Sequence, residues 1–240
     1  MIIAANFKTN MTRRETAEYY TTVTGFIAEN GISSKAMIFP PATALNSFEG
    51  GVNIGAQNAY AVENGAFTGE IGLDQLDEFG IKTILIGHSE RRHILGESQE
   101  LIAEKFNYYK AKGFTIVYCI GEPLEVREEG SDALMDYLND QCDGIDLDYE
   151  KLIIAYEPVW AIGTGLTPSA DEVEQIHTAL RQKTSRPLLY GGSVKTANAK
   201  ELLALNNVDG ALIGSAALNV EDFCTILSIA EDIKNKREGK

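Results

Sequence analysis

The sequence predicts an α/β fold in which eight parallel strands close into a (β/α)8 barrel ringed by helices, as one domain over residues 1–240. Three observations lead there. Eight short apolar runs alternate with longer amphipathic segments, an order that calls for parallel pairing and right-handed crossovers. The chain has 240 residues, which suits one barrel. Polar residues able to do chemistry recur just after the apolar runs, and a barrel gathers its chemistry at the C-terminal ends of its strands. A doubly wound open sheet is the structural alternative.

The first run, Ile2–Ala5, begins as a strand and lacks the basic start and long apolar stretch of a secretion signal. Thr12–Ile27 follows as a helix with Thr12 as its N-cap. The runs Ala36–Phe39 and Val52–Ala56 lie close together, so the helix between them must be short, Ala42–Phe48. Strand Thr83–Gly87, helix Ser98–Ala111, strand Thr115–Ile120 and helix Ser131–Gln141 come next. Strand Leu152–Tyr156, helix Ala170–Lys183, strand Pro187–Tyr190, helix Ala197–Leu205 and strand Ala211–Gly214 complete the alternation. Thr167-Pro168 has the chemistry of an N-cap and first helical residue, which predicts an early start for the helix after the sixth strand. No Pro/Ser-rich linker or low-complexity tract divides the chain.

Acidic residues outnumber basic ones 35 to 21, for a net charge of −14. That balance argues against nucleic acid or anionic membranes as partners. A small anionic ligand stays possible where backbone N–H groups and one or two cations form a local pocket. No apolar run approaches the roughly 18 residues of a membrane span. Cys119, Cys142 and Cys224 show neither metal spacing nor a disulfide framework, so a reducing cytoplasm is the expected compartment.

The richest segment is Ala155–Gly165. The apolar run Leu152–Ala155 leads to a single carboxylate, Glu157, and Pro158 then stops the strand. Trp160, the one tryptophan of the chain, and Gly163-Thr164-Gly165 follow. A carboxylate, a stiff turn, an apolar tip and a flexible exit describe a catalytic acid or base under a closing lid. Taken alone, the same residues also describe an ordinary surface loop. His88 follows the fourth strand, and Ser89 and Glu90 can cap and begin a helix there. At that positive helix end an imidazole is favoured neutral, as a hydrogen-bond donor. Lys8, just after strand 1 in an acidic chain, is a candidate anion anchor, with Asn6 beside it. Tyr190–Val194 and Asp209–Leu218 each run from an apolar stretch into glycine and hydroxyl residues, bringing Ser193, Gly214 and Ser215 to the ends of strands 7 and 8. Barrels often build phosphate sites from these two loops. Gly163-Thr164-Gly165 does not directly follow a strand and is no dinucleotide fingerprint. Cys119, inside an apolar run, reads as a buried structural thiol.

These segments together resemble the triosephosphate isomerase family, in its order and over the whole chain. Ala155–Gly165 resembles its base-and-lid segment, Gly87–Arg92 its histidine segment, and Tyr190–Val194 with Asp209–Leu218 its phosphate loops. Gly65–Glu70 resembles its protruding third loop. The resemblance implies a TIM barrel and an aldose–ketose isomerase of glycolysis and gluconeogenesis. Glu157 would be the general base, neutral His88 the group that polarises the carbonyl, and Lys8 the cation stabilising the enediolate. Asn6, Lys8, Gly163, Ser193, Gly214 and Ser215 would bind substrate, with Glu90 supporting the site behind His88. That family is itself the standard illustration of a histidine held neutral at a helix N-terminus. No metal or organic cofactor is implied. A homodimer is expected, with the apolar third loop around Phe67 and Thr68 as the contact. Phe7 stands where the family usually has Trp and Ser215 where a second Gly is common. The lid exit, Gly165–Pro168, is about two residues short.

Overall fold

The computed structural model describes residues 1–162 and 166–239. Eight parallel strands form one sheet: β1 (Ile2–Asn6), β2 (Lys35–Phe39), β3 (Val52–Ile54), β4 (Thr83–Ile86), β5 (Thr115–Ile120), β6 (Leu152–Tyr156), β7 (Leu188–Tyr190) and β8 (Gly210–Ile213). Their order is β3-β2-β1-β8-β7-β6-β5-β4. The ring closes between β3 and β4 through Ala56, which bridges to Ile84. Two hydrogen bonds make that closure: Ala56 N–H to Thr83 O at 2.9 Å and Leu85 N–H to Ala56 O at 2.8 Å. The closed barrel, not the open sheet, is the fold.

Around it lie α1 (Arg13–Asn30), α2 (Leu73–Glu78), α3 (Ser89–His93), α4 (Gln99–Ala111) and α5 (Leu124–Glu128). They continue with α6 (Ser131–Asp140), α7 (Ala170–Arg181), α8 (Thr196–Ala204) and α9 (Val220–Arg237). Thr12 caps α1 as expected. Its hydroxyl accepts from the Glu15 N–H, while the Glu15 carboxylate accepts from the Thr12 N–H at 2.7 Å, a reciprocal capping box.

Two sequence expectations about helices are corrected. Helix α7 does not start at Thr167-Pro168; Ser169 is its N-cap and Ala170 its first residue. The physical reason is Glu172, which lies three residues after Ser169 and accepts the Ser169 N–H at 2.7 Å. Thr167 has Ala170 at that spacing and so no reciprocal partner. Between β2 and β3 the expected helix Ala42–Phe48 is only a 3-10 turn, Ala42–Ala44. Beyond it the Ser47 N–H bonds to Asn46 Oδ1 at 3.0 Å, the local competition that draws such residues out of helices. Helices α2, α5 and α9 lie outside the expected set, whereas α3 stands where a helix start was expected after His88. For α9 the signal was present: Phe223, Ile226, Leu227, Ala230 and Ile233 recur at helical spacing and are buried.

The strands are apolar on both faces, as parallel strands between two layers must be. Alternate residues divide between two cores. Ile2, Ala4, Met37, Phe39, Leu85, Val117, Cys119, Ile153, Ala155, Leu189 and Leu212 form the interior of the barrel. Ile3, Ala5, Ile38, Ile116, Tyr118, Ile154, Tyr156 and Ile213 point outward and join the helix-packed core. Cys119 is fully buried in the interior, and burial pushes its thiol well above the ordinary range, as a structural cysteine requires. This alternation carries past the strand ends. On the interior count, the next residues of β1, β6 and β8 at the rim are Asn6, Glu157 and Gly214.

Candidate active site

At the C-terminal rim these strand ends surround one cavity of about 150 Å³. Asn6, Lys8, His88, Glu157, Ser193, Gly214 and Ser215 all line it. The sequence reading had selected each of them. Gly163 lies outside the described residues.

Lys8 is held there at a cost. Its φ is +52°, a left-handed conformation that only glycine adopts freely. Two contacts impose it: the Lys8 N–H donates to Asn6 Oδ1 at 3.0 Å, and its carbonyl accepts from Gln57 Nε2 at 2.7 Å. The ammonium reaches Glu90 Oε1 at 2.7 Å. Glu90 therefore supports Lys8 as much as His88, whose Nδ1 lies 3.6 Å from its other oxygen.

The cap of α3 differs from expectation. His88, not Ser89, is the N-cap, and its Nδ1 accepts from the Glu90 N–H at 3.2 Å. A ring nitrogen that accepts from an N–H carries no proton, so the imidazole is neutral with its proton on Nε2. Nε2 faces Glu157 Oε1 at 3.1 Å. Burial disfavours the imidazolium, but the Glu157 and Glu90 carboxylates outweigh it and draw His88 above its ordinary 6.5. The larger part of that upward pull comes from Glu157, the nearer carboxylate. Charging the ring would also set the Nδ1–H against the Glu90 N–H.

Glu157 is 2% exposed. Its Oε2 accepts from the Ser89 N–H at 3.0 Å. Burial would raise its pKa, yet His88, the Ser89 N–H and Lys8 together hold it below the usual carboxylate range. The site thus keeps an ionised carboxylate almost out of water. Gly191 makes the geometry possible, since a Cβ there would lie 2.8 Å from Glu157 Cγ and 3.1 Å from the Tyr156 carbonyl.

The two loops expected to bind phosphate meet across the cavity. The Ser193 hydroxyl donates to the Ala161 carbonyl at 2.9 Å, tying the turn after Glu157 to the β7 loop. Ser215 opens a 3-10 turn, Ser215–Leu218, so its N–H has no partner inside the turn. Phe7 sits fully buried, edge-on to Tyr19 at 4.8 Å, so its departure from tryptophan is absorbed in packing.

Sequence reasoning missed two parts of the site. Lys195 and Asn10 also line the cavity, beside Ile162 and Leu218 of the expected lid and phosphate segments. A second buried carboxylate, Glu122, lies behind it, accepting from Tyr156 OH at 3.0 Å and Trp160 Nε1 at 2.8 Å. Arg127 stacks over the Trp160 ring at 4.3 Å and ion-pairs with Glu172. A signal for Glu122 existed, because Glu122-Pro123 repeats the Glu-Pro of the sixth strand end.

Comparison with known proteins shows the family. The family model described as triosephosphate isomerase matches residues 1–230. A triosephosphate isomerase of Sulfurimonas denitrificans is 57% identical over 238 residues, covering 99% of each chain. One of Sulfurovum sp. is 58% identical over 227 residues, covering 95% of this chain and 99% of its own. One of Wolinella succinogenes is 57% identical over 229 residues, with the same coverage. With this match behind the barrel, its carboxylate, histidine and lysine, the chain belongs to the triosephosphate isomerase family.

Proposed function

We propose that this chain, as one barrel domain, interconverts D-glyceraldehyde 3-phosphate and dihydroxyacetone phosphate in glycolysis and gluconeogenesis. The observation that carries this reading is the meeting of the Glu157 carboxylate, the His88 imidazole and Lys8 in one cavity beside two glycine-rich loops. Moving a proton between adjacent carbons needs a base at carbon and a donor at the carbonyl oxygen. Glu157 takes the proton from C1 of the ketose, and the electron pair moves toward the C2 oxygen as an enediolate. His88 Nε2–H donates to that oxygen, and the ring moves a proton between O1 and O2. Lys8 balances the developing charge. Glu157 then returns its proton to C2, giving the aldose. Protons are moved and none is lost, so no electron acceptor enters. The Glu157 carboxylate, bonded to Ser89 and His88 in this structure, exchanges those contacts for the substrate carbon. Backbone N–H groups of Ser193, Gly214 and Ser215 hold the phosphate, with Asn6 beside Lys8.

The test is coupled turnover of D-glyceraldehyde 3-phosphate by the wild type beside Glu157→Asp, which retracts the carboxylate by one methylene. A loss of about 10³-fold is expected, within the usual range for a displaced general base. A folded wild type without activity overturns the reading.

We propose the cytoplasm as its compartment and a homodimer as its state. No helix of the described residues is long and apolar enough to cross a membrane. Phe67, Ile94 and Leu95 are 43%, 76% and 63% exposed, apolar groups that a second copy would cover. Sedimentation showing a monomer at micromolar concentration overturns the dimer.

A further inference from the structure

We propose that Lys195 is the anion-capture residue of the site: its charge makes the mouth of the cavity attractive to a phosphorylated substrate. The inference rests on the isomerase reading and names a residue for it.

Two lysines and one carboxylate line the cavity, Lys8, Lys195 and Glu157, with His88 neutral. Lys8 is already paired with Glu90 at 2.7 Å. Lys195 has no carboxylate within ion-pair distance among the described residues. Counting Glu90 with the cavity, the local charge is zero with Lys195 and negative without it. The whole chain carries −14. A doubly charged phosphate approaching such a protein meets net repulsion, which is weakest where a local cation offsets it. Among the described residues lining the cavity, Lys195 is the cation left to supply that offset, because Lys8 is paired with Glu90.

Its place in the fold suits the role. Lys195 follows Ser193 and Val194 in the same lining loop and directly precedes α8, so the helix N-terminus lies behind it. Asn198 fixes the loop, accepting the Lys195 N–H at 2.8 Å and donating to the Ser193 carbonyl at 2.9 Å. The backbone at Lys195 is thereby fixed beside the phosphate loop, while its exposed side chain stays in water. Packing gives this lysine nothing to do.

The test compares kcat/KM of wild type, K195Q, K195E and K195R across ionic strength, with D-glyceraldehyde lacking the phosphate as a second substrate. At about 10 mM salt the screening length is roughly 30 Å, and K195Q should lose about fivefold in kcat/KM for the phosphorylated substrate. K195E should lose more, and K195R should retain most of the wild-type value. Loss should concentrate in KM rather than kcat. Near 1 M salt, where screening falls to about 3 Å, the curves should converge. Turnover of unphosphorylated glyceraldehyde should be the same in all four. Equal salt dependence in wild type and K195E overturns the inference while leaving the isomerase reading standing. A loss in K195Q that is independent of salt, or shared by glyceraldehyde, also overturns it, because it marks a structural role. A wild type inactive on the phosphorylated substrate overturns the isomerase reading itself, and this inference with it.

Discussion

Glu122 and Glu157 begin from nearly the same sequence and end in opposite circumstances. Each stands just beyond a strand, each precedes a proline, and both are buried, at 0% and 2% exposure. Glu157 faces the cavity, and His88, the Ser89 N–H and Lys8 overcome its burial and lower its pKa. Glu122 faces away from it. There burial dominates over the bonds from Trp160 and Tyr156 and raises its pKa, while Oε2 has no partner among the described residues. The pleat explains the split. Ile153 and Ala155 point into the barrel, so Glu157 continues the inward count. Ile116, Tyr118 and Ile120 point outward, and Glu122 continues theirs. One residue of offset separates a carboxylate aimed at substrate from one that anchors the turn beside it.

Replacing each by its amide gives the sharpest contrast. Glu157→Gln should reduce turnover by about 10³-fold or more, because the amide cannot accept the proton. Glu122→Gln should stay within about tenfold, since its amide oxygen can still accept from Tyr156 and Trp160. Steady-state kinetics of the two purified variants decides it, and equal losses would mean that the two carboxylates do not differ in role.

A smaller effect separates anchoring from chemistry. Tyr156→Phe removes one donor from the buried Glu122 and should cost about 2 kcal/mol in a denaturant titration. Turnover should change far less than in Glu157→Gln. A stability change near zero would mean that Glu122 does not depend on that bond.

The smallest effect is the sign of the pH dependence. Glu122, raised in the fold, contributes stability that is complete below the ordinary glutamate pKa and is lost as pH rises through its folded value. Glu122→Gln should therefore match or exceed the wild type at neutral pH and lose that advantage in acid. Glu157, lowered in the fold, contributes stability above the ordinary value that is lost as pH falls through its folded one. Its amide variant should be weaker at neutral pH, with the deficit closing in acid. Melting curves from neutral pH to about pH 4 show both signs, and parallel curves for the two variants would contradict the assigned environments.

Much of this architecture was legible in the sequence because strand ends announce themselves. Glu157, His88 and Lys8 are polar residues interrupting apolar runs, and a barrel sends such residues to one rim. The pleat parity that separates Glu122 from Glu157 could also have been counted. Other features depend on contacts between distant segments. That His88 caps α3 with its own ring was hidden, because Ser89 is the more common capping residue. Thr167 and Ser169 both have capping chemistry, and only the reach of Glu172 decides between them. The left-handed turn at Lys8 depends in part on Gln57, 49 residues away. Short helices such as α3 and α5, at five residues each, present too few positions for a period to show.

The barrel is not equally strong around its circumference. Strands β5 and β6 are joined over five residue pairs, whereas β3 and β4 meet at the one bridge of Ala56. A closed ring parts first at its weakest seam, so partial opening of this fold should begin there rather than beside Glu157. Amide exchange would reveal it: the Leu85 N–H, which donates across the seam, should exchange well before those between β5 and β6. The apolar third loop with Phe67 lies in the connection between these same two strands. A second copy seated on that loop would shield the seam, and association would then act as the clasp that keeps the ring shut.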